Sequence, residues 1–141
     1  MIRVVLDANV LISGLISTKG TPGNILNAWL KEQFQLWISP QIYSELLRVF
    51  KYPRIAKRLE RGQATNLLKN LGVLAEWADG KLKLDILTLD PYDNIYLACA
   101  VEAHCDYLVT GDRDHFEDPG TEYRGVRIVT PRDFLDLLAA E

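Results

Sequence analysis

Four short apolar runs constrain this chain more than any other feature: Ile2 to Leu6, Phe34 to Ile38, Tyr107 to Val109 and Val126 to Val129. All are too short for helices, and they are rich in β-branched and aromatic residues with few polar interruptions, so they read as strands buried on both faces. Between them lie segments whose apolar residues recur at helical spacing. Alternation of this kind argues for a parallel sheet covered on both sides, a three-layer α/β/α architecture.

The helix boundaries follow from capping chemistry. Ser39-Pro40 and Thr130-Pro131 each place a capping hydroxyl before a proline at the first helical position, predicting helices to roughly Phe50 and to Ala139. Thr21-Pro22 repeats the signal, with Thr21 as the cap of a helix carrying Ile25, Leu26, Trp29 and Leu30. A short helix should follow Asp7 and run through Ile16. Pro53 to Trp77 reads as one or two helices, broken at Gly62, with Leu67, Leu68, Leu71, Leu74 and Ala75 as the apolar stripe. Lys81 to Ile86 alternates polar and apolar residues, as a half-buried strand or an extended sheet edge would. Asp90-Pro91 opens a further helix, Tyr92 to His104, and a polar loop with Pro119 and Gly120 precedes the last strand.

With 141 residues, about half of them apolar, the chain matches one domain over residues 1–141, with no linker, repeat or low-complexity stretch. No apolar run approaches the ~20 residues needed to cross a bilayer. The first residues lack a signal-peptide pattern. The expectation is a cytoplasmic protein with no membrane role. Cys99 and Cys105 are too few for a disulfide framework, and with His104 and His115 they match no closed zinc pattern, so they read as reduced packing thiols. A net charge of −3 excludes a uniformly basic nucleic-acid binder. Locally, Arg48, Lys51, Arg54, Lys57, Arg58 and Arg61 accompany only Glu60, which is either a solvated helical face or an RNA-binding patch.

Four acids are the candidates for chemistry. In open α/β sheets ligands bind beyond the carboxyl ends of the strands, and Asp7 and Asp112 each follow such an end. Glu45 shares a helical face with Ile42 and Val49, beside a stripe formed by Leu46, Leu47 and Phe50. There a carboxylate either snorkels to solvent or needs a partner such as a metal ion. Asp93 follows Asp90 at the mouth of a helix, where an acid also suits the macrodipole. Carboxylates without an accompanying His or Cys set are hard ligands that favour Mg²⁺ or Mn²⁺, and such sites support phosphoryl transfer or phosphodiester hydrolysis.

The segments Val4 to Leu11, Ser39-Pro40 to Glu45-Leu46, Asp90 to Asn94, Leu108 to Asp114 and Gly125 to Pro131 together resemble the PIN-domain family, and within it the prokaryotic toxin components related to VapC. The resemblance spans essentially the whole chain in order. It implies an acidic cluster of Asp7, Glu45, Asp93 and Asp112, with Asp114 joining at a second metal and with Asn9 and Thr110 positioning ligands or water. It implies Mg²⁺- or Mn²⁺-dependent hydrolysis of single-stranded RNA, a homodimer, and an antitoxin protein that blocks the site. Ala8 departs from the Thr or Ser common between the Asp and Asn of the first motif.

Other readings fare less well. A haloacid-dehalogenase-like phosphatase needs a second Asp two residues after the first, where this chain has Asn9. A receiver domain needs an acidic pair after the first strand and a Lys after a late one, and neither is present. A housekeeping RNA-processing nuclease would carry the same four acids, whereas a non-catalytic RNA-binding or protein-interaction module would be expected to have lost some of them.

Overall fold

All four apolar runs are strands. In the computed structural model, which describes residues 1–84, 93–111 and 122–141 with Asp93 in its backbone alone, they sit in a regular alternation with helices. The order is β1 (Arg3–Leu6), α1 (Ala8–Ile16), α2 (Thr21–Leu30), β2 (Gln35–Ile38), α3 (Pro40–Val49), α4 (Pro53–Ala56), α5 (Gln63–Leu74), β3 (Glu76–Trp77), α6 (Asp93–Glu102), β4 (Tyr107–Val109), β5 (Glu122–Tyr123), β6 (Val126–Val129) and α7 (Pro131–Ala139).

The strands form one sheet in the order β3-β2-β1-β4-β6-β5, parallel throughout except for β5, which pairs antiparallel with β6. Val4, Val5 and Leu6 of central β1 are all buried, so both faces of the strand are covered. Helices α1, α2 and α7 pack in series, while α6 lies against β1, β2 and β4 and touches α3. Phe134 of α7 meets Phe34 and half-buried Tyr107 edge to face at ring separations of 5.2 and 5.9 Å, and the two buried phenylalanines contribute ~1.5–3 kcal/mol of transfer free energy each. Close approach of α1 to α2 depends on Gly14, because a Cβ there would lie 2.6 Å from Leu26 Cδ1 and 2.9 Å from the Pro22 carbonyl. No helix of the described residues is long and apolar enough to cross a membrane.

Several local expectations are corrected. Gly20, not Thr21, is the N-cap of α2; the Thr21 hydroxyl instead accepts a hydrogen bond from Arg132 of α7 at 3.2 Å. Trp77 leaves the helix for β3, where Trp37 and Ile38 pair with Glu76 and Trp77 and the Ala78 N–H donates to the Ile38 carbonyl at 2.8 Å. Residues 81–84 are not a strand: the N–H groups of Gly80 and Lys81 donate to the Glu102 carboxylate, not to a neighbouring strand, and residues 85–86 lie outside the described residues. Leu47 and Leu74, assigned above to buried stripes, are 41% and 45% exposed. The unforeseen β5 is joined to β6 by Arg124 and Gly125, with φ of 48° and 86°, the two left-handed residues of a tight hairpin turn. Exposed Asp106 accepts a hydrogen bond from the Arg3 N–H at 2.9 Å, tying the start of β4 to β1. Asp90, Pro91 and Tyr92, the expected opening of α6, lie outside the described residues.

Candidate active site

From β1 the sheet grows outward through β2 to β3, and the chain then returns to the other side of β1 to lay down β4 and β6. The strand order therefore reverses between β1 and β4, and a crevice opens beyond their carboxyl ends. Asp7 follows β1 and Thr110 follows β4, side by side because Leu6 is in register with Val109. The backbone fixes both residues: Asp7 N–H donates to the Val109 carbonyl at 3.1 Å, and Thr110 N–H to the Val129 carbonyl at 3.0 Å.

Asp7 is only 5% exposed, a costly place for a carboxylate. Part of the compensation comes from α1. Asp7 is the N-cap of that helix, its Oδ1 accepts the Val10 N–H at 3.0 Å, and the positive end of the helix dipole faces the charge. That contact also fixes the orientation of the side chain.

Glu45 projects from α3, which begins as the sequence requires, with Ser39 Oγ accepting the Ile42 N–H at 3.3 Å and Pro40 at the first position. Ile42 and Leu46 anchor the helix in the core, and the side chain of Glu45 beside them is just 11% exposed, so it does not snorkel to solvent. Protein groups hold it. The Tyr96 hydroxyl donates to Oε2 at 2.7 Å, and the Arg48 guanidinium stands 3.7 Å from Oε1. Arg48 in turn donates to the Tyr52 hydroxyl and lies over its ring.

Tyr96, on α6, was not anticipated. It is buried, and its hydroxyl is pushed far above the ordinary tyrosine range by that burial first, then by the charge of Glu45 and its hydrogen bond, and by the charge of Asp7. The hydroxyl therefore stays protonated and serves as a fixed donor. A signal was available: α6 is apolar nearly all round, and a phenol in a buried helix needs a polar partner.

Asp7, Asn9, Glu45 and Tyr96 share a single cleft of about 300 Å³ with Arg48 and Arg54. Of the residues singled out in the sequence, the structure thus brings Asp7, Asn9 and Glu45 together and places Thr110 at the adjoining strand end. Asp93 heads α6 one turn before Tyr96, but its side chain is not described, and Asp112 and Asp114 lie outside the described residues. Among the described residues no His or Cys lines the cleft. Two carboxylates largely withdrawn from water, with a carboxamide beside them, are oxygen donors of the kind a divalent cation takes, although among the described residues they are not joined by a third acidic, His or Cys side chain placed to hold one. Cys99 and Cys105 are buried free thiols elsewhere, with Cys99 pushed up to about 12 by burial and by the charge of Glu102.

Comparison with known proteins finds that the family profile described as PIN domain matches residues 3–114. The chain is also 28% identical over 146 residues to an uncharacterized protein, MJ1680, of Methanocaldococcus jannaschii, an alignment covering 96% of this chain and 90% of the relative.

Proposed function

The chain belongs to the PIN-domain family, whose members are in general metal-dependent nucleases, and on that premise we propose that it is an endoribonuclease acting on single-stranded RNA with Mg²⁺ or Mn²⁺. The observation that carries the proposal is a buried carboxylate, Asp7, at the β1/β4 switch point, sharing one cleft with a second withdrawn carboxylate, Glu45. Asp7, Asp93 and Asp112 are the proposed metal ligands, with Asp114 at a second ion and Glu45 as ligand or water positioner. A bound divalent ion would supply an activated water and neutralise charge on the scissile phosphate. Asp7 is held for that task by its bond to Val10 N–H, and Glu45 by Tyr96 and Arg48, so neither carboxylate has to be reoriented when substrate arrives. Asn9 and Thr110 border the same strand ends and are proposed to position ligands or water.

A fluorogenic single-stranded RNA tests the activity: cleavage should require Mg²⁺ or Mn²⁺ and stop on adding EDTA. Undiminished cleavage in EDTA, or cleavage of no RNA with either metal, would refute the proposal. We assign the chain, within this activity, to the toxin side of a toxin-antitoxin pair, acting as a homodimer and restrained by an antitoxin. Expression should arrest growth, with relief by Asp7→Asn; growth unaffected by an active enzyme would place it among housekeeping RNA-processing nucleases instead.

A further inference from the structure

The basic cluster left open by the sequence begins at the wall of the acidic cleft and continues along the chain from it. Arg48 and Arg54 line the cleft together with Asp7 and Glu45, and Tyr52 and Ile55 complete that wall. From there the chain continues through α4 and the turn that follows it, where Ile55 and Leu59 pack against the core while Arg54, Lys57 and Arg58 stay exposed. Lys51 and Arg61 are exposed as well. No carboxylate forms a salt bridge with any of these five cations among the described residues, whereas Arg48 is taken by Glu45. Apolar anchoring on one side and unneutralised charge on the other is what a surface for a polyanion requires. A merely solvated face has no reason to begin at the cleft.

We infer that Arg54, Lys57 and Arg58 form a platform that carries the phosphate backbone of single-stranded RNA into the cleft of Asp7 and Glu45. The inference rests on the ribonuclease proposal for its choice of polyanion, but it concerns binding and not cleavage. It also accounts for a nuclease with a net charge of −3: the attraction is local, next to the acids that would hold metal, and not spread over the molecule. Each phosphate neutralised on a single strand contributes ~0.7 to the slope of log affinity against log salt, so three contacts give a slope of about 2 and, at 0.1 M salt, about 100-fold in affinity.

The test is anisotropy of a fluorescein-labelled oligouridylate, in EDTA so that no cleavage occurs, across a range of salt. The triple variant Arg54→Gln, Lys57→Gln, Arg58→Gln should bind about 100-fold more weakly at 0.1 M salt, with the slope reduced by about 2. The control Lys19→Gln, Lys31→Gln, Lys69→Gln removes the same charge from exposed positions that do not border the cleft, and should bind nearly as the native protein does. Equal losses in the two triples, no loss in the first, or a native protein that ignores the RNA while retaining a polyglutamate chain would overturn the inference; the last outcome would point to an acidic protein partner. RNA binding with the expected slope in a protein that fails to cleave with any metal would support the platform and refute the ribonuclease.

Discussion

Asp7 caps α1 and is proposed to hold metal, and two substitutions separate these two tasks. Asp7→Ala removes the acceptor that holds the Val10 N–H at 3.0 Å, leaving an orphan donor at the start of α1. Loss of such a cap costs ~1 kcal/mol, or about 4 °C in melting temperature for a chain of this size. Asp7→Asn keeps an oxygen in place for the Val10 N–H. It gives up the attraction between the charge and the helix dipole, ~0.3–1 kcal/mol. In return it relieves a buried carboxylate that is 5% exposed and shares its cleft with the like charge of Glu45. The Asn variant should therefore melt within about 2 °C of the native protein. Cleavage should fall in both variants by about 1000-fold, the equivalent of ~4 kcal/mol for a lost metal ligand. Differential scanning calorimetry and a fluorogenic RNA assay on the same preparations read both quantities. An Asn variant that cleaves within about tenfold of native, or that melts as low as the Ala variant, would refute the division of tasks.

Four further outcomes follow from the same structure. Tyr96→Phe takes away the donor 2.7 Å from Glu45 and should cost ~1–3 kcal/mol in urea unfolding while raising the Mn²⁺ concentration needed for half-maximal cleavage; an unchanged metal requirement would remove Tyr96 from the site's support. Gly14→Ala should destabilise by ~1–3 kcal/mol through contact with Leu26 and Pro22, and a neutral result would mean that α1 and α2 can separate freely. His104→Gly should raise the urea midpoint by the equivalent of ~1 kcal/mol, since His104 closes α6 at φ 53° with its N–H on the Val101 carbonyl and the Cys105 N–H on the Ala100 carbonyl. Cys99, raised from 9.0 to about 12 by burial, should resist iodoacetamide at pH 8 until urea is added; the stability linked to its protonated form is complete below pH 9 and is lost as pH rises from 9 towards about 12, so alkylation of the folded protein at pH 8 would contradict its burial.

What the sequence discloses and what it hides divide along the range of the interactions. The central strands and the caps at Ser39 and Thr130 are local patterns, and they are where the residues place them. Asp7 is legible as a strand-end acid, although its service as a helix cap is not. β3 escapes notice because two residues at a sheet edge carry no period, and β5 because its turn is Arg124-Gly125, without the Asn-Gly or Asp-Gly pair that usually marks a hairpin. The environment of Glu45 depends on Tyr96, 51 positions away, and no window along the chain contains both. The basic cluster was visible, but its nearness to the acids is a fact of tertiary structure. Asp93, Asp112 and Asp114 enter the proposed metal set on sequence alone.

The most direct measurement is anomalous diffraction from crystals soaked in Mn²⁺, recorded above and below the manganese edge. A manganese peak in the cleft between Asp7 and Glu45, with an Asp7 carboxylate oxygen among its ligands and absent in Asp7→Asn crystals, is the predicted result. Manganese bound elsewhere, or a cleft that stays free of it while Asp7 does no more than cap α1, would contradict the metal-dependent nuclease at this site.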